Sequence, residues 1–493
     1  MGETPPTATD DSATVPVADA SAPNAGAAAP FRAFLLRLHF YAGIFVGPFL
    51  LIAAISGGLY AIAPSIEQFV YREHLRTTSS GDLLPVSQQV RFAQATRSEL
   101  TVTAVRPATG PGETTRVMFD DPALGESERH AVFIDPVTGA SRGGLTVYGS
   151  SSALPLRTWI DQLHRSLHLG EPGRMYSELA ASWLWLIALA GVFLWWSRFR
   201  RMSRRGDRNA RLLVPVRSGG GRVRTLNWHG AVGIWIAVGL LFLSATGLTW
   251  SRFAGDNVTA LRTALSWTTP SVSTALSGPP EAEMAGHEGH HGDPVPAAVG
   301  RGGEPRVADI DRVLDAARDA GVGGKVEVSI PSDSGAETDT AFIVAQTRQP
   351  WVMSNNAVAV DGASGKITDT SWFADWPLAA KLSAWGIQLH MGLLFGLANQ
   401  LLLLALAAAL VTVIVRGYLL WWRRRPTAGA RPVGSAPRRG VLTGLPPAAA
   451  VAVVFAAAAV GWFVPVLGAS LAAFVAVDAA IGWLQRHRQD RAR

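Results

Sequence analysis

Four histidines have the clearest capacity for chemistry in this chain. His39 and His229 each stand near the start of a long apolar run, and His164 and His390 each stand just before one. Neutral imidazole is a metal ligand, and two imidazoles at one depth on facing helices are what the iron of a b-type haem takes as its axial pair. The chain has no cysteine. That excludes disulfides, thiolate catalysis, iron–sulfur clusters, Cys-based zinc sites and covalent haem attachment.

An internal duplication relates the four. With His164 placed on His390, an offset of 226, Trp159 falls on Trp385, Gln162 on Gln388 and Gly170 on Gly396, and Trp195-Trp196 coincide with Trp421-Trp422. Asp135 and Gly139 fall on Asp361 and Gly365 in the same register. With His39 on His229, an offset of 190, Gly43 falls on Gly233, Ser56 on Thr246 and Gly57 on Gly247. A lone histidine at a helix end is ordinarily an interfacial hydrogen-bonding group. Four held in register across two copies read as two ligand pairs, His39/His229 near one membrane face and His164/His390 near the other. Gly43, Gly233, Gly170 and Gly396 are candidates for the space a flat ring needs. Ser56 and Thr246, roughly 25 Å of helix beyond His39 and His229, read as helix-packing or backbone-bonding groups.

Other ligands are weaker candidates. His168, at i+4 from His164, shares its helix face and is an alternative ligand, although the second copy has Leu394 there. Met175 and Met391 can ligate haem, but Met391 points about 100° away from His390 on one helix. His287, His290 and His291 form the tract HEGHHGD, which can bind transition metals weakly; a solvated linker is the plainer reading.

The elements that must position these residues are membrane spans. Of the 493 residues, 48% are hydrophobic and only 16% charged, and Trp is abundant at 17. Several apolar runs reach the ~20 residues a bilayer requires. Residues 1–30 read as a disordered cytoplasmic tail, and 31–63 as the first span. Residues 64–160 form an external α+β module, with VSQQVRFAQAT as a helix and TVTAVRP, TRVMFDD and HAVFIDP as strands. Residues 161–200 hold a His segment and the second span, 201–225 a basic cytoplasmic loop, and 226–251 the third span. Residues 252–305 are an external linker with the His tract. Residues 306–380 repeat the order helix, strands and D-x-x-x-G turn. A second His segment and the fourth span fill 381–422, a basic linker 423–445, an apolar hairpin of two spans 446–485, and a cytoplasmic tail 486–493. The fold expected is a mainly α-helical polytopic membrane protein, with four core spans in duplicated two-helix units, a C-terminal hairpin and two external modules. The Trp pairs followed by arginines mark cytoplasmic exits, which places both termini in the cytoplasm.

The net charge of +7 therefore reads first as membrane orientation, and no nucleic-acid motif accompanies it. There is no GxGxxG after a strand, no P-loop, no HExxH and no nucleophile elbow. A haem protein of this kind must draw electrons from a quinol or from a separate cytoplasmic donor, and membrane lipid is its surroundings.

The chain resembles the PepSY-associated transmembrane proteins, also described as iron-regulated or PiuB-like membrane proteins. The resemblance lies in LHFYAGIFVGPFLLIAAISGGLY, FIDPVTG, LHRSLHLGEPGR with its WW-basic exit, WHGAVGIWIAVGLLFLSATGL, and LHMGLLFG with its WWRRRP exit, over roughly residues 31–425. It implies that the external modules are PepSY domains, in a family whose members include ferric-siderophore reductases of the cytoplasmic (inner) membrane with two b-type haems. The family's histidines carry over to His39, His164, His229 and His390. The long tail, the HEGHHGD linker, His168 and the terminal hairpin depart from the pattern. The expected function is transmembrane electron transfer to a ferric chelate outside, a membrane oxidoreductase activity. The alternative is a non-catalytic PepSY membrane protein that binds or regulates an external partner such as a peptidase. A metal transporter using the His tract fits least, because the mid-spans are mostly Ala, Leu, Val and Phe.

Overall fold

The computed structural model describes residues 28–207, 210–216, 220–276, 306–331, 340–423 and 446–491. The His287, His290 and His291 tract and nearly all of the N-terminal tail lie outside them. Helices α1 (Ala28–Phe45), α2 (Gly47–Val70) and α3 (Arg72–Leu75) open the chain, followed by α4 (Val86–Thr96). Strands β1 (Thr101–Arg106), β2 (Thr115–Asp120), β3 (Glu128–Ile134) and β4 (Ser141–Tyr148) lead to α5 (Pro155–Ser166) and α6 (Glu171–Arg204). The second copy runs α7 (Gly221–Leu248), α8 (Phe253–Ala264), α9 (Ile310–Asp319), β5 (Val326–Ser329), β6 (Phe342–Gln346), β7 (Ala357–Val360), β8 (Ile367–Ser371), α10 (Leu378–His390) and α11 (Gly396–Trp422). Helices α12 (Pro447–Phe463) and α13 (Pro465–Asp490) close it.

Among the described residues five helices are long and apolar enough to cross a membrane: α2, α6, α7, α11 and the first 21 residues of α13. The protein is a multi-pass membrane protein. The expected sixth span, α12, has only 17 residues, a shorter apolar helix. The expected first span, 31–63, is two helices. Hydrogen bonding continues across the junction, from Val46 N–H to Ala42 O at 2.8 Å and from Leu50 N–H to Val46 O at 3.0 Å. Pro48 has no N–H, so the Ile44 carbonyl lacks its intrahelical donor. Tyr418 of α11 supplies one, its hydroxyl donating to Ile44 O at 2.7 Å. A Cβ on Gly47 would come within 2.9 Å of that hydroxyl, so the glycine lets the kinked helix approach α11. In the membrane core Leu38, Leu50, Trp183, Leu184, Ile236, Leu240 and Leu410 join one buried cluster.

The terminal hairpin docks on this bundle through polar contacts as well as apolar ones. Asp478 of α13 pairs with buried Arg37 of α1, and Ser470 accepts a hydrogen bond from Trp183 Nε1 at 2.9 Å. Charged groups in an apolar layer are held by such partners.

The two strand-bearing modules are halves of one eight-stranded antiparallel sheet, ordered β4-β3-β2-β1-β5-β6-β7-β8. Each half is a four-strand meander, and the first strands of the two pair, Ala104 opposite Ser329 and Val105 opposite Val328. Glu327 bridges the seam, meeting Arg106 Nε at 2.6 Å and Arg129 Nη1 at 3.3 Å. Burial opposes its ionisation, but the two arginines outweigh it and hold the carboxyl below its ordinary range. Helices α4 and α9 cover one face, where Val90, Val105, Phe119, Ile310, Leu314 and Phe342 form a dry core. Asp311 of α9 accepts from Val86 N–H at 2.7 Å, capping the start of α4 with a carboxylate from the other half. The expected strands are all present, and β4 and β8 add to them. Their sequences, SRGGLTVY and ITDTS, carry little apolar alternation because they are the two edges.

The D-x-x-x-G turns join β3 to β4 and β7 to β8. Gly139 and Gly365 take φ of 75° and 72°, the left-handed region that suits glycine. Asp135, buried at 4% exposure, accepts from Val137 N–H, Thr138 N–H and the hydroxyls of Thr77 and Ser79. Burial works against its charge, yet these hydrogen bonds bring its pKa down to about 2. A depressed pKa stabilises the fold above the unfolded value of about 3.9 and ceases to do so as pH falls through the folded one. Asp135→Ala is therefore expected to destabilise the sheet by roughly 2 kcal/mol at pH 7. Thermal unfolding followed from pH 7 to pH 3 checks it: the gap from wild type should shrink below about pH 4.

Candidate functional site

The structure brings the four histidines together as two pairs. Helices α1–α2, α6, α7 and α11 form the bundle, and the sheet caps one end. At the end away from the sheet, His39 of α1 and His229 of α7 face each other with ring centroids 6.2 Å apart and planes at 80°. At the sheet end, His164 and His390 come close enough that a charge on one would repel a charge on the other. These two stand at the C-terminal ends of separate short helices, α5 and α10, not on the spans. Arg157 of α5 pairs with Glu67 of α2 at 3.4 Å. The ring of His164, two turns on, reaches Gly57 of the same helix. Helix α5 therefore runs antiparallel to α2 and lowers His164 into the bundle.

Every one of the four imidazoles is held through Nδ1. His39 Nδ1–H donates to Ile187 O at 3.1 Å, and His229 Nδ1–H to Val413 O at 2.9 Å. A carbonyl only accepts, so in both rings the proton sits on Nδ1 and the lone pair on Nε2. Ser56 donates its own hydroxyl proton to Ile52 O at 2.8 Å and accepts from His164 Nδ1 at 3.0 Å. Thr246 donates to Phe242 O at 2.8 Å and accepts from His390 Nδ1 at 2.6 Å. The sequence reading of Ser56 and Thr246 as backbone-bonding groups is half of their role. They bond their own helix and orient the histidine of the opposite pair. Among the described residues no Nε2 of the four has a hydrogen-bond partner.

Four further glycines face the imidazole rings. A Cβ built on Gly57 would lie 3.0 Å from His164 Cε1, on Gly191 3.1 Å from His39 Cε1, on Gly417 3.6 Å from His229 Cε1, and on Gly247 3.9 Å from His390 Cε1. These four obey the same two offsets as the histidines. Gly170 and Gly396 instead have positive φ, 61° and 55°, and form the turns into α6 and α11. Gly43 and Gly233 face open space. The four glycines read from the sequence as room for a flat macrocycle are therefore different positions from the four that meet the imidazoles, which lie on neighbouring helices.

The remaining candidates stand apart. Helix α5 ends at Ser166, and Leu167 and His168 adopt left-handed φ of 53° and 55°. The i+4 relation therefore fails: His168 is exposed and lies 5.0 Å from the Trp159 ring. Met175 is exposed on α6. Met391 follows α10 as its C-cap, with its sulfur 2.9 Å from Arg348 Nη1. Among the described residues no three His, Asp or Glu side chains cluster to hold a bare metal ion.

The donor set fits the iron of a haem. His39 and His229, 6.2 Å apart at their ring centres, are the residues that would hold one such iron, and His164 and His390 the other. A hydrogen bond from Nδ1 is the usual way a ligating histidine is oriented and made more basic. His39 and Gly57 are 18 residues apart, as are His229 and Gly247, so the two levels are roughly 27 Å apart along the helices.

A model of the PepSY-associated TM region matches residues 36–424, and the chain belongs to that family. An uncharacterised protein of Pseudomonas aeruginosa is 31% identical over 194 residues, a stretch that covers 38% of this chain and 43% of that protein. The match thus spans less than half of the relative's length. Helices α12 and α13 lie beyond the family match.

The spacing of rings and glycines orders four variants. Gly57→Ala and Gly191→Ala force a ring to move by tenths of an ångström, at about 1–3 kcal/mol of overpacking. Gly247→Ala and Gly417→Ala meet ordinary contacts and gain up to about 1 kcal/mol of helix propensity. Melting of the purified protein should fall in the first two and hold or rise in the second two.

Proposed function

We propose that this member of the PepSY-associated transmembrane family carries single electrons across the cytoplasmic membrane on two b-type haems and reduces a ferric chelate, such as a siderophore complex, on the sheet side. In this reading His39 and His229 hold one haem and His164 and His390 the other. The observation that carries it is the shared chemistry of the four rings: Nδ1 is engaged, Nε2 is open, and the rings stand in two pairs at two depths. Haem iron supplies reversible one-electron chemistry. The protein's own part is to fix each imidazole by a carbonyl or hydroxyl and to surround the pairs with apolar side chains.

The two levels, roughly 27 Å apart, span nearly the whole hydrocarbon layer of about 30 Å, so this reading requires the haem rings to extend inward and shorten the gap an electron crosses. The Trp pairs with their arginines lie at the end of the bundle away from the sheet, which on the positive-inside rule is the cytoplasmic face. One electron delivered outside converts Fe(III) to Fe(II), which binds hard oxygen ligands less tightly, so the chelate releases its metal. A PepSY protein that only binds an external partner has no need of four matched imidazoles.

Histidine variants test the reading. Haem content should fall by about half in His229→Ala and in His390→Ala, each losing a different component of the reduced-minus-oxidised spectrum. The double variant should be colourless. Spectra unchanged by either substitution would sink the assignment.

A further inference from the structure

The two-haem reading leaves the entry of electrons open, because the sequence carries no nucleotide or flavin motif. We propose that a lipid-soluble quinol binds in the groove between the 210–216 segment and α7, beside His229; this rests on the two-haem reading. Leu213, Val214 and Pro215 form one wall, and Trp228, Ala231, Val232 and Trp235 of α7 the other. The groove is open and about 320 Å³ in volume, at the lower end of the range of small-molecule sites and enough for a single ring. Its walls are apolar, and Trp235 and Val214 are 69% and 55% exposed where the bilayer would meet them. A membrane-dissolved ligand can therefore enter sideways from lipid.

The groove is a built feature. Trp195 Nε1–H donates to Leu212 O at 2.8 Å and Trp235 Nε1–H to Leu213 O at 2.9 Å, so two indoles pin the segment on α7. Trp195 in turn lies where a Cβ on Gly230 would be, 2.3 Å from its ring. One donor that lines the groove is unused: the Trp228 indole N–H has no acceptor among the described residues. Arg416 of α11, outside the lining, has its guanidinium 5.3 Å from the centre of the Trp228 ring and backs that indole. A lipid acyl chain offers the Trp228 N–H nothing, whereas an oxygen of a quinone ring accepts from it. Trp228 precedes His229 in sequence, and Arg416 precedes Gly417, which faces the His229 ring. The ligand ring would thus lie against the residues that frame the first pair. Oxidation of the quinol to the quinone releases two electrons, which the haem that pair would hold takes one at a time, and two protons, released to the water at that end of the bundle.

The test uses the full-length protein in nanodiscs with a photoreactive short-chain quinone, mapped by mass spectrometry. Label is expected on residues 211–216 or 228–235, displaced by unlabelled short-chain quinone and not by oleate. Trp228→Phe should cut the labelling at least about tenfold. It should slow haem reduction by a short-chain quinol to a similar degree, while dithionite still reduces the full haem content. Label spread elsewhere, or displaced equally by oleate, overturns the proposal, the latter meaning that the groove holds an acyl chain. Reduction by quinol at the wild-type rate in this variant overturns it as well. Specific labelling of a protein without haem would retain the quinol site and refute the two-haem reading, so the two failures are distinguishable.

Discussion

The hydrogen bond from Nδ1 is the interaction on which the rest of this structure depends. Without it an imidazole in an apolar bundle could turn either nitrogen toward its partner. With it, all four rings share one tautomer and present Nε2. Two devices achieve this. At the far end, the bond goes to the helical carbonyls of Ile187 and Val413, four residues before Gly191 and Gly417. At the sheet end it goes to the hydroxyls of Ser56 and Thr246, which adjoin Gly57 and Gly247. Each acceptor is thus coupled to a glycine that gives the ring room, and both must lie on the same helix for the ring to enter.

The duplication explains why this appears four times, and its breaks show where the copies have separate work. Pro48 and Gly47 kink α1–α2, and Tyr418 completes the bond the kink leaves open. The matching positions are Val238, Ala237 and Val192, so the second copy needs no such support. The pairing of Arg37 with Asp478 likewise has no counterpart, since it ties down the hairpin that follows the duplicated region. The sheet obeys the repeat most closely: two meanders meet through β1 and β5, and Glu327 draws arginines from the other half across the seam.

Much of this was legible in the residues. The repeat selected His39, His164, His229 and His390, and the apolar runs coincide with α6, α7 and α11, whereas the first run is divided between α1 and α2 and the last includes a helix of only 17 residues. Alternation found β1 to β3 and β5 to β7. What escaped depended on packing between distant segments. The glycines that meet the His164 and His39 imidazoles, Gly57 and Gly191, lie on other helices 107 and 152 residues away in sequence, beyond the reach of local spacing. Ser56 and Thr246 look like helix-bonding groups because that is half of what they do. His168 looks like a ligand only while the helix is assumed to continue past Ser166. The edge strands β4 and β8 lack alternation because one side of each is unpaired and their faces are only partly covered.

In the proposed reading each chain binds two haems through matched histidine pairs. Haem quantification per chain on the purified wild-type protein, together with a dithionite-minus-oxidised spectrum, tests it most directly. Two b-type haems per chain, both low-spin with two nitrogen ligands, are predicted. A protein that is colourless after expression with ample haem supply, or that carries a single haem, would contradict the account.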